Sequence, residues 1–195
     1  YNVEVGITNE VFQNERDQTP SCYFADNPND HQNMDADSAL TGTTAVQNFA
    51  NFQRFLAAPT PAPDTPSIGR GRAAFSAAGC ALCHTPSMTT GNRSVIAALN
   101  NKVANLYSDL LVHDMGTGLA DGVSQGNAGP REFRTAPLWG VGQRVFFLHD
   151  GRTSDLMQAI QAHRSFQSEA NAVIDRFNFM SDSVKQDLLN FLRSL

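Results

Sequence analysis

The chain has 195 residues, 41% of them hydrophobic, so it can bury the core of one sizeable domain or of two small ones. With 14 basic and 19 acidic side chains its formal net charge is −5, and its basic residues are not clustered, which argues against a nucleic-acid partner. No apolar run reaches the roughly 20 residues that span a bilayer, and the sequence shows neither a signal peptide nor a transmembrane segment.

A polar stretch opens the chain and an aromatic helix follows it. Residues 1–40 are rich in Asn, Asp and Gln, which predicts an extended polar N-terminal segment lying over a larger body. Residues 41–63 form a second region, because apolar side chains recur there at helical spacing until Pro59 begins a stiff proline-rich linker. These apolar side chains are Val46, Phe49, Phe52, Phe55 and Leu56.

The third region, residues 64–195, starts with a short helix that leads into a Cys-x-x-Cys-His motif. Thr65 and Pro66 supply the cap and the first turn of this helix. The motif, Cys80 to His84, is typical of the covalent attachment of one haem c, because two thiols at this spacing can add to the two vinyl groups of the porphyrin. The adjacent histidine then becomes the proximal ligand of the iron.

Two other interpretations of the motif are weaker. The motif could be a redox dithiol or half of a zinc site. A structural zinc ion needs a second pair of nitrogen or sulfur ligands, however, and beyond Cys80 and Cys83 the only thiol is the distant Cys22. Cys22 is either a buried free thiol or one half of a disulfide whose partner is missing.

The haem motif also bears on where the protein works. Haem c is normally attached outside the cytoplasm, so we expect a periplasmic or otherwise extracytoplasmic location. Tyr1 is then not the translational start, and a signal sequence has been removed or left out.

Four further helices are expected after the motif. The first covers Val95 to Leu106, and a long ordered loop without regular structure then runs from Asp114 to Gly142, where it would wrap the second face or edge of the porphyrin. Three helices close the chain, and residues 153–155 cap the first of them. Their apolar stripes contain Leu156, Ile160 and His163, then Val173 and Phe177, then Val184, Leu188, Phe191 and Leu195.

The predicted fold class is therefore all-α, a cytochrome c-like helical domain around one covalently bound haem, with long irregular loops. The helix before the motif is similar to the N-terminal helix of the cytochrome c fold, in which a glycine admits a second helix and an aromatic residue packs on it. Gly71 and Phe75 occupy those positions here. We expect Phe75 to pack against Leu188 and Phe191 of the last helix.

Several segments beyond the motif carry a family resemblance. The chain resembles the bacterial di-haem oxidoreductases of the thiol-oxidoreductase type, which are relatives of the di-haem cytochrome c peroxidases. The segments that match are Gly79 to His84, Tyr107 to Gly116, Leu119 to Gly122, Arg134 to Gly140, Phe147 to Arg152 and Leu189 to Leu195, with a weaker likeness over Gly6 to Glu10. The resemblance implies a low-spin haem that passes electrons onward.

One departure from the family pattern stands out. Members usually carry two Cys-x-x-Cys-His motifs on a chain about twice as long, whereas this sequence has one. We therefore expect the chain to be the C-terminal haem half of such a protein, either processed, truncated or working as a separate subunit.

The sixth ligand of the iron has two main candidates. His163 shares the apolar face of its helix, and the resemblance aligns residues 156–163 with a peroxidase segment that supplies a distal methionine. Met115 lies in the glycine-rich loop expected to cover the haem, and thioethers are common cytochrome ligands. A core histidine at position 163 and an open distal site remain the alternatives.

Other residues are assigned weaker roles. Arg134, Arg144 and Arg152 could pair with the haem propionates, or could be solvated surface side chains. Trp139 could pack on the porphyrin edge, or be an ordinary core residue. His113 and His149, each followed by Asp, could act in acid–base chemistry, although a structural or propionate-contacting role is favoured.

The leading functional prediction is a c-type cytochrome that transfers single electrons through one six-coordinate haem iron. Its partner would be a redox protein, or a second haem domain or subunit. The alternative is a peroxidase-like haem enzyme with an open distal site, in which His113 or His149 shuttles protons. A third hypothesis is that residues 1–40 dock the domain into a larger assembly.

Overall fold

The computed structural model describes residues 8–9 and 44–195. The chain divides into two compact units, Tyr1–Ala57 and Ala58–Leu195. Apart from residues 8–9, the predicted extended segment lies outside the described residues, and so does Cys22. The domain limits proposed from the sequence stay predictions.

The helix of the first unit, α1 (Ala45–Phe55), confirms the aromatic helix expected before the proline-rich linker. Thr44 and Gln47 form a capping box, in which each side chain accepts a hydrogen bond of 3.2 Å from the backbone N–H of the other. Phe52 and Phe55 are more than half exposed.

The second unit contains helices at both ends of its sequence and short strands between them. Its helices are α2 (Pro66–Ala78), α3 (Leu156–Gln161), α4 (Asn171–Asn178) and α5 (Asp182–Ser194), and its strands are β1 (Met88–Thr89), β2 (Val103–Ala104), β3 (Val112–Asp114) and β4 (Glu132–Arg134). Single 3₁₀ turns cover Cys80–Leu82, Ala97–Leu99 and Val141–Gln143.

Helices α2 and α5 cross in close contact and form the centre of the core. Gly71 makes this approach possible, because a Cβ atom there would lie 2.0 Å from the carbonyl oxygen of Asp187. One turn later the Phe75 and Phe191 rings meet edge to face, with centroids 5.5 Å apart. Leu188 belongs to the same buried cluster. The predicted contact between the two helices is confirmed.

The all-α fold class is wrong, because the described residues include two small antiparallel sheets. Strands β1 and β2 pair with Met88 opposite Ala104, and β3 and β4 pair with Val112 opposite Arg134. The second sheet also corrects the expectation for residues 114–142, which were predicted to lack regular structure.

The helix expected over residues 95–106 is also wrong. The Asn100 side chain bonds the backbone N–H and carbonyl of Ser94, which closes a local loop instead of a helix. Asn101 then adopts a φ of 52°, which ends any helical run before β2. Val95, the first residue of the predicted apolar stripe, is fully exposed.

The three helices predicted at the end of the chain are confirmed. Asp155 caps α3, since its carboxylate accepts hydrogen bonds from the N–H groups of Met157 and Gln158. Phe177 of α4 is completely buried in the core. Over the described ranges, no helix combines the length and the apolar character needed to cross a membrane.

Candidate haem site

The attachment motif follows directly from the end of α2. Gly79 ends the helix with a φ of 97°, and the 3₁₀ turn Cys80–Leu82 starts there. The Arg176 side chain donates a 2.7 Å hydrogen bond to the carbonyl of Ala78, so α4 anchors the turn. This arrangement fixes the motif at one end of the helical core.

The two thiols of the motif are partly buried and are not joined in a disulfide. Burial raises the pKa of Cys80 to about 11. Burial also raises the pKa of Cys83, and the nearby carboxylates of Asp109 and Glu169 add to this effect. Both side chains are therefore protonated thiols at neutral pH.

His84 is held as a neutral imidazole of one tautomer. Its Nδ1 lies 3.0 Å from the carbonyl oxygen of Tyr107, which can only accept, so Nδ1 carries the proton. Burial lowers the pKa of His84 to about 4. Nε2 is then the nitrogen that remains for a metal, the arrangement usual for metal-binding histidines.

His163 is prepared in the same way. It lies in the turn two residues after the end of α3, beyond the helix whose apolar face it was predicted to share, and its Nδ1 donates to the carbonyl oxygen of Ala159 at 2.8 Å. Burial lowers its pKa, so this imidazole is also neutral. Its ring centroid lies 6.5 Å from that of His84, and the two ring planes are inclined by 57°.

The spacing of these two rings fits a metal ion between them. Metal–imidazole bonds of about 2 Å on each side, extended to the ring centres, require centroids roughly 6 Å apart. The 6.5 Å between His84 and His163 meets that requirement. Together with the thiols of Cys80 and Cys83, the donor set matches what a covalently attached haem needs.

The sequence profile described as "Di-haem oxidoreductase, putative peroxidase" matches residues 2–195. The chain belongs to this di-haem oxidoreductase family. The resemblance identified from the motifs is therefore confirmed, and a haem-protein role follows from membership of the family.

Two further comparisons add little. No curated protein matches the sequence. Among solved structures, a chain of hydrazine synthase from Kuenenia stuttgartiensis, studied under 20 bar of xenon, is 20% identical, with a TM-score of 0.42. The match covers 72% of this chain and 51% of that chain, so the present chain spans about half of its length. With so low a TM-score, no inference is drawn from this similarity.

In this di-haem oxidoreductase chain, Met115 lies on a different segment from His163. It follows β3, where its N–H donates to the carbonyl of Arg131 at 2.8 Å and its own carbonyl accepts from Ser165. These contacts fix its backbone beside the turn that follows His163.

The arginines and the tryptophan singled out from the sequence are dispersed. Arg134 is exposed on β4, and Arg144 lines a groove together with Val141 and Leu156. Arg152 is engaged by Asp150, with an Nε to Oδ2 distance of 2.6 Å. Trp139 lines a separate groove of about 430 Å³ together with the backbone segment that carries the His84 acceptor.

The two His-Asp pairs occupy different surroundings. The His149 ring stacks on Phe133 with centroids 4.3 Å apart, and its Nε2 lies 3.7 Å from a carboxylate oxygen of Asp121. His113 lies between two carboxylates and near Cys83, with its Nδ1 3.9 Å from the sulfur.

Sequence reasoning assigned no role to three residues that surround the motif. Tyr107 contributes a backbone carbonyl, and Asp109 and Glu169 bind His113. Tyr107 and Asp109 lie within a segment that matched the family, which is the one signal that could have drawn attention to them. A backbone acceptor leaves no trace in residue type.

Proposed function

We propose that the chain carries one haem c, attached through Cys80 and Cys83, and that it transfers single electrons as a c-type cytochrome. His84 is the proximal ligand and His163 the sixth ligand in this proposal. When bound, the haem supplies one-electron redox chemistry at its iron.

The observation that carries the proposal is the pair of neutral imidazoles 6.5 Å apart. In each ring Nδ1 keeps its proton and donates it in a hydrogen bond to a backbone carbonyl, so both rings offer Nε2 in its unprotonated form. Two strong nitrogen ligands favour a six-coordinate iron, which changes little in geometry between oxidation states. Such a centre is suited to electron transfer.

The protein's own contribution is to hold these groups and to exclude water. Burial disfavours the charged form of His84 and His163, so neither ring is lost to protonation near neutral pH. The carbonyls of Tyr107 and Ala159 orient the two rings. The turn after α2 presents both thiols beside His84.

Intact-mass measurement tests the attachment. We expect the wild-type chain, denatured, to retain the mass of one haem and to give a positive pyridine haemochrome spectrum. The double variant Cys80→Ser/Cys83→Ser should lose the covalent mass, because neither hydroxyl can form a thioether. Cys22→Ser is the matched control, and its haem mass should remain. A wild-type chain without added mass would refute the proposal.

A peroxidase function is the second candidate, and the description of the family favours it. It requires an open position on the iron, which the ring of His163 would have to vacate. The wild-type protein distinguishes the two functions: a low-spin spectrum that peroxide leaves unchanged in the ferric form, and carbon monoxide in the ferrous form, supports electron transfer, whereas persistent high-spin features support the peroxidase.

Location and partners form part of the same proposal. Covalent haem attachment is normally extracytoplasmic, so we place the protein in the periplasm or an equivalent compartment. The family name implies two haems, and this chain carries one attachment motif. We therefore propose that it exchanges electrons with a second haem domain or subunit, or with a separate redox protein.

A further inference from the structure

Residues 107–117, here called the strap, contact the haem-attachment motif directly. The carbonyl of Tyr107 accepts the hydrogen bond from Nδ1 of His84 at 3.0 Å. Two residues later, the N–H of Asp109 donates to the carbonyl of Cys83 at 2.8 Å. The first part of the strap therefore sets the position of the proximal imidazole.

The other end of the strap contacts the turn that follows His163. The backbone N–H of Glu169 donates to the carbonyl of Asp114 at 2.9 Å, and the N–H of Asp114 donates back to the Glu169 carboxylate at 3.0 Å. Ser168 links this turn to the backbone of His163, because its hydroxyl donates to the His163 carbonyl at 2.6 Å. The strap thus joins both imidazole-bearing segments.

The His113 side chain connects the two ends of the strap by hydrogen bonds. Its Nε2 donates to Asp109 at 3.0 Å and its Nδ1 donates to Glu169 at 2.8 Å. Carboxylates only accept, so both ring nitrogens carry protons and the side chain is an imidazolium. The side chains of His113 and Asp109 are 18% and 14% exposed, whereas that of Glu169 is 54% exposed, so the Asp109 half of the bridge is the better protected from solvent screening.

The backbone conformation of the strap requires stabilising contacts of this kind. Tyr107 and Leu110 have φ values of 52° and 61°, a left-handed conformation that costs about 1 kcal/mol or more for residues with side chains. Residues in this conformation keep it only when surrounding contacts over-determine it. The bridge made by His113 is one of these contacts.

We propose that His113 is a positioning residue that keeps His163 against the iron, acting through Asp109, Glu169 and the strap. This inference rests on the proposed function, in which His163 is the sixth ligand. Without the imidazolium bridge, the turn that carries His163 separates more often from the attachment motif. An external ligand then reaches the iron more often.

The test uses the haem-loaded full chain in its ferric form, with His113→Gln compared against wild type. The probe is cyanide, whose binding rate to a six-coordinate iron reports how often the sixth ligand leaves. We expect cyanide to bind about tenfold faster to the variant, the effect of losing one charge-assisted hydrogen bond. The high-spin fraction in the electron paramagnetic resonance spectrum should rise in parallel.

His149→Gln is the matched control. His149 also pairs with a carboxylate, that of Asp121, but Asp121 belongs neither to the strap nor to the turn that carries His163. Its cyanide rate and spin state should equal those of wild type. If His113→Gln fails to accumulate haem, Glu169→Gln carries the same expectation. Wild-type cyanide kinetics in whichever of these variants is loaded would overturn the proposal.

The outcomes also separate this inference from the proposed function. If the wild-type protein is itself high-spin, or shows methionine ligation, the assignment of His163 fails and the positioning role fails with it. If wild type shows two histidine ligands and His113→Gln behaves identically, only the role of His113 is refuted.

Discussion

At the scale of single residues, the chemistry of the proposed centre depends on which atom opposes His84. A nitrogen ligand donates more strongly to ferric iron than a thioether does, so the residue at position 163 sets the reduction potential. The structure supports nitrogen through the neutral ring of His163 and the carbonyl of Ala159 that orients it.

His163→Met should raise the reduction potential of the bound haem, by a substantial part of the roughly 0.8 V range over which axial ligands tune haem iron. Spectroelectrochemical titration of the loaded chain measures this shift. His149→Met is the control and should leave the potential unchanged. An unaltered potential in His163→Met would show that position 163 does not ligate the iron.

The Cys-x-x-Cys-His motif could be predicted from residue types and their spacing, but most of the contacts that surround it could not. The spacing of Cys80, Cys83 and His84 indicates haem chemistry because the covalent reaction demands that spacing. The acceptor at Tyr107 could not be predicted in the same way, since every residue has a carbonyl and only the fold decides which one faces an imidazole. The role of Glu169, 56 residues away from His113, is equally a product of the fold.

At the scale of elements, the crossing of α2 and α5 depends on Gly71, and a second glycine of the same helix, Gly69, has different surroundings. Gly71 lies against the α5 backbone, whereas a Cβ atom at Gly69 would meet nothing within 4 Å. The two positions lie in the same helix, so they form a matched pair for one substitution.

Gly71→Ala should destabilise the protein by about 1–3 kcal/mol, because the new methyl group forces the helices apart. Gly69→Ala should instead be neutral or stabilise by up to about 1 kcal/mol, since alanine loses less backbone entropy in a helix. Urea unfolding of both variants measures these changes. Equal effects at the two positions would contradict the role assigned to the helix crossing.

Long periodic elements were predictable and short paired ones were not. Helix α5 repeats its apolar residues over thirteen positions, and that stripe survives in the structure as a buried face. Strands of two or three residues are too short to show a repeating pattern of apolar side chains. Strand β3 pairs with β4 only because the intervening loop brings Val112 opposite Arg134. Their pairing is decided by the loop, which is why the fold class predicted from the sequence was wrong.

At the scale of the whole molecule, the His113 bridge makes stability depend on pH in a defined direction. The carboxylates of Glu169 and Asp109 raise the pKa of His113 above 6.5, against the opposing effect of burial, and Cys83 is the remaining titratable neighbour. A raised pKa means that the stabilisation is complete below the ordinary histidine value and is lost as pH rises through the raised one. The pKa values of Asp109 and Glu169 are lowered by backbone N–H groups and by His113, so their contribution is lost towards acid.

We therefore expect the free energy of unfolding to fall by about 1 kcal/mol as pH rises from near 6.5 into the alkaline range, the size typical of partly exposed ion pairs. Urea unfolding at a series of pH values measures this. His113→Gln should remove this part of the pH profile. The fall in the free energy of unfolding at acid pH, which other carboxylates produce, should remain. A profile unchanged by the substitution would show that the bridge does not contribute to stability.

The raised pKa of Cys80 has a consequence for the chain before it acquires its cofactor. Oxidants and alkylating reagents attack the thiolate, and at neutral pH a thiol with a pKa of about 11 is almost entirely protonated. Premature oxidation of the motif to a disulfide, which would use up both sulfurs, is therefore slow. In the proposed c-type cytochrome, the folded polypeptide would therefore protect the Cys80 sulfur until haem is attached.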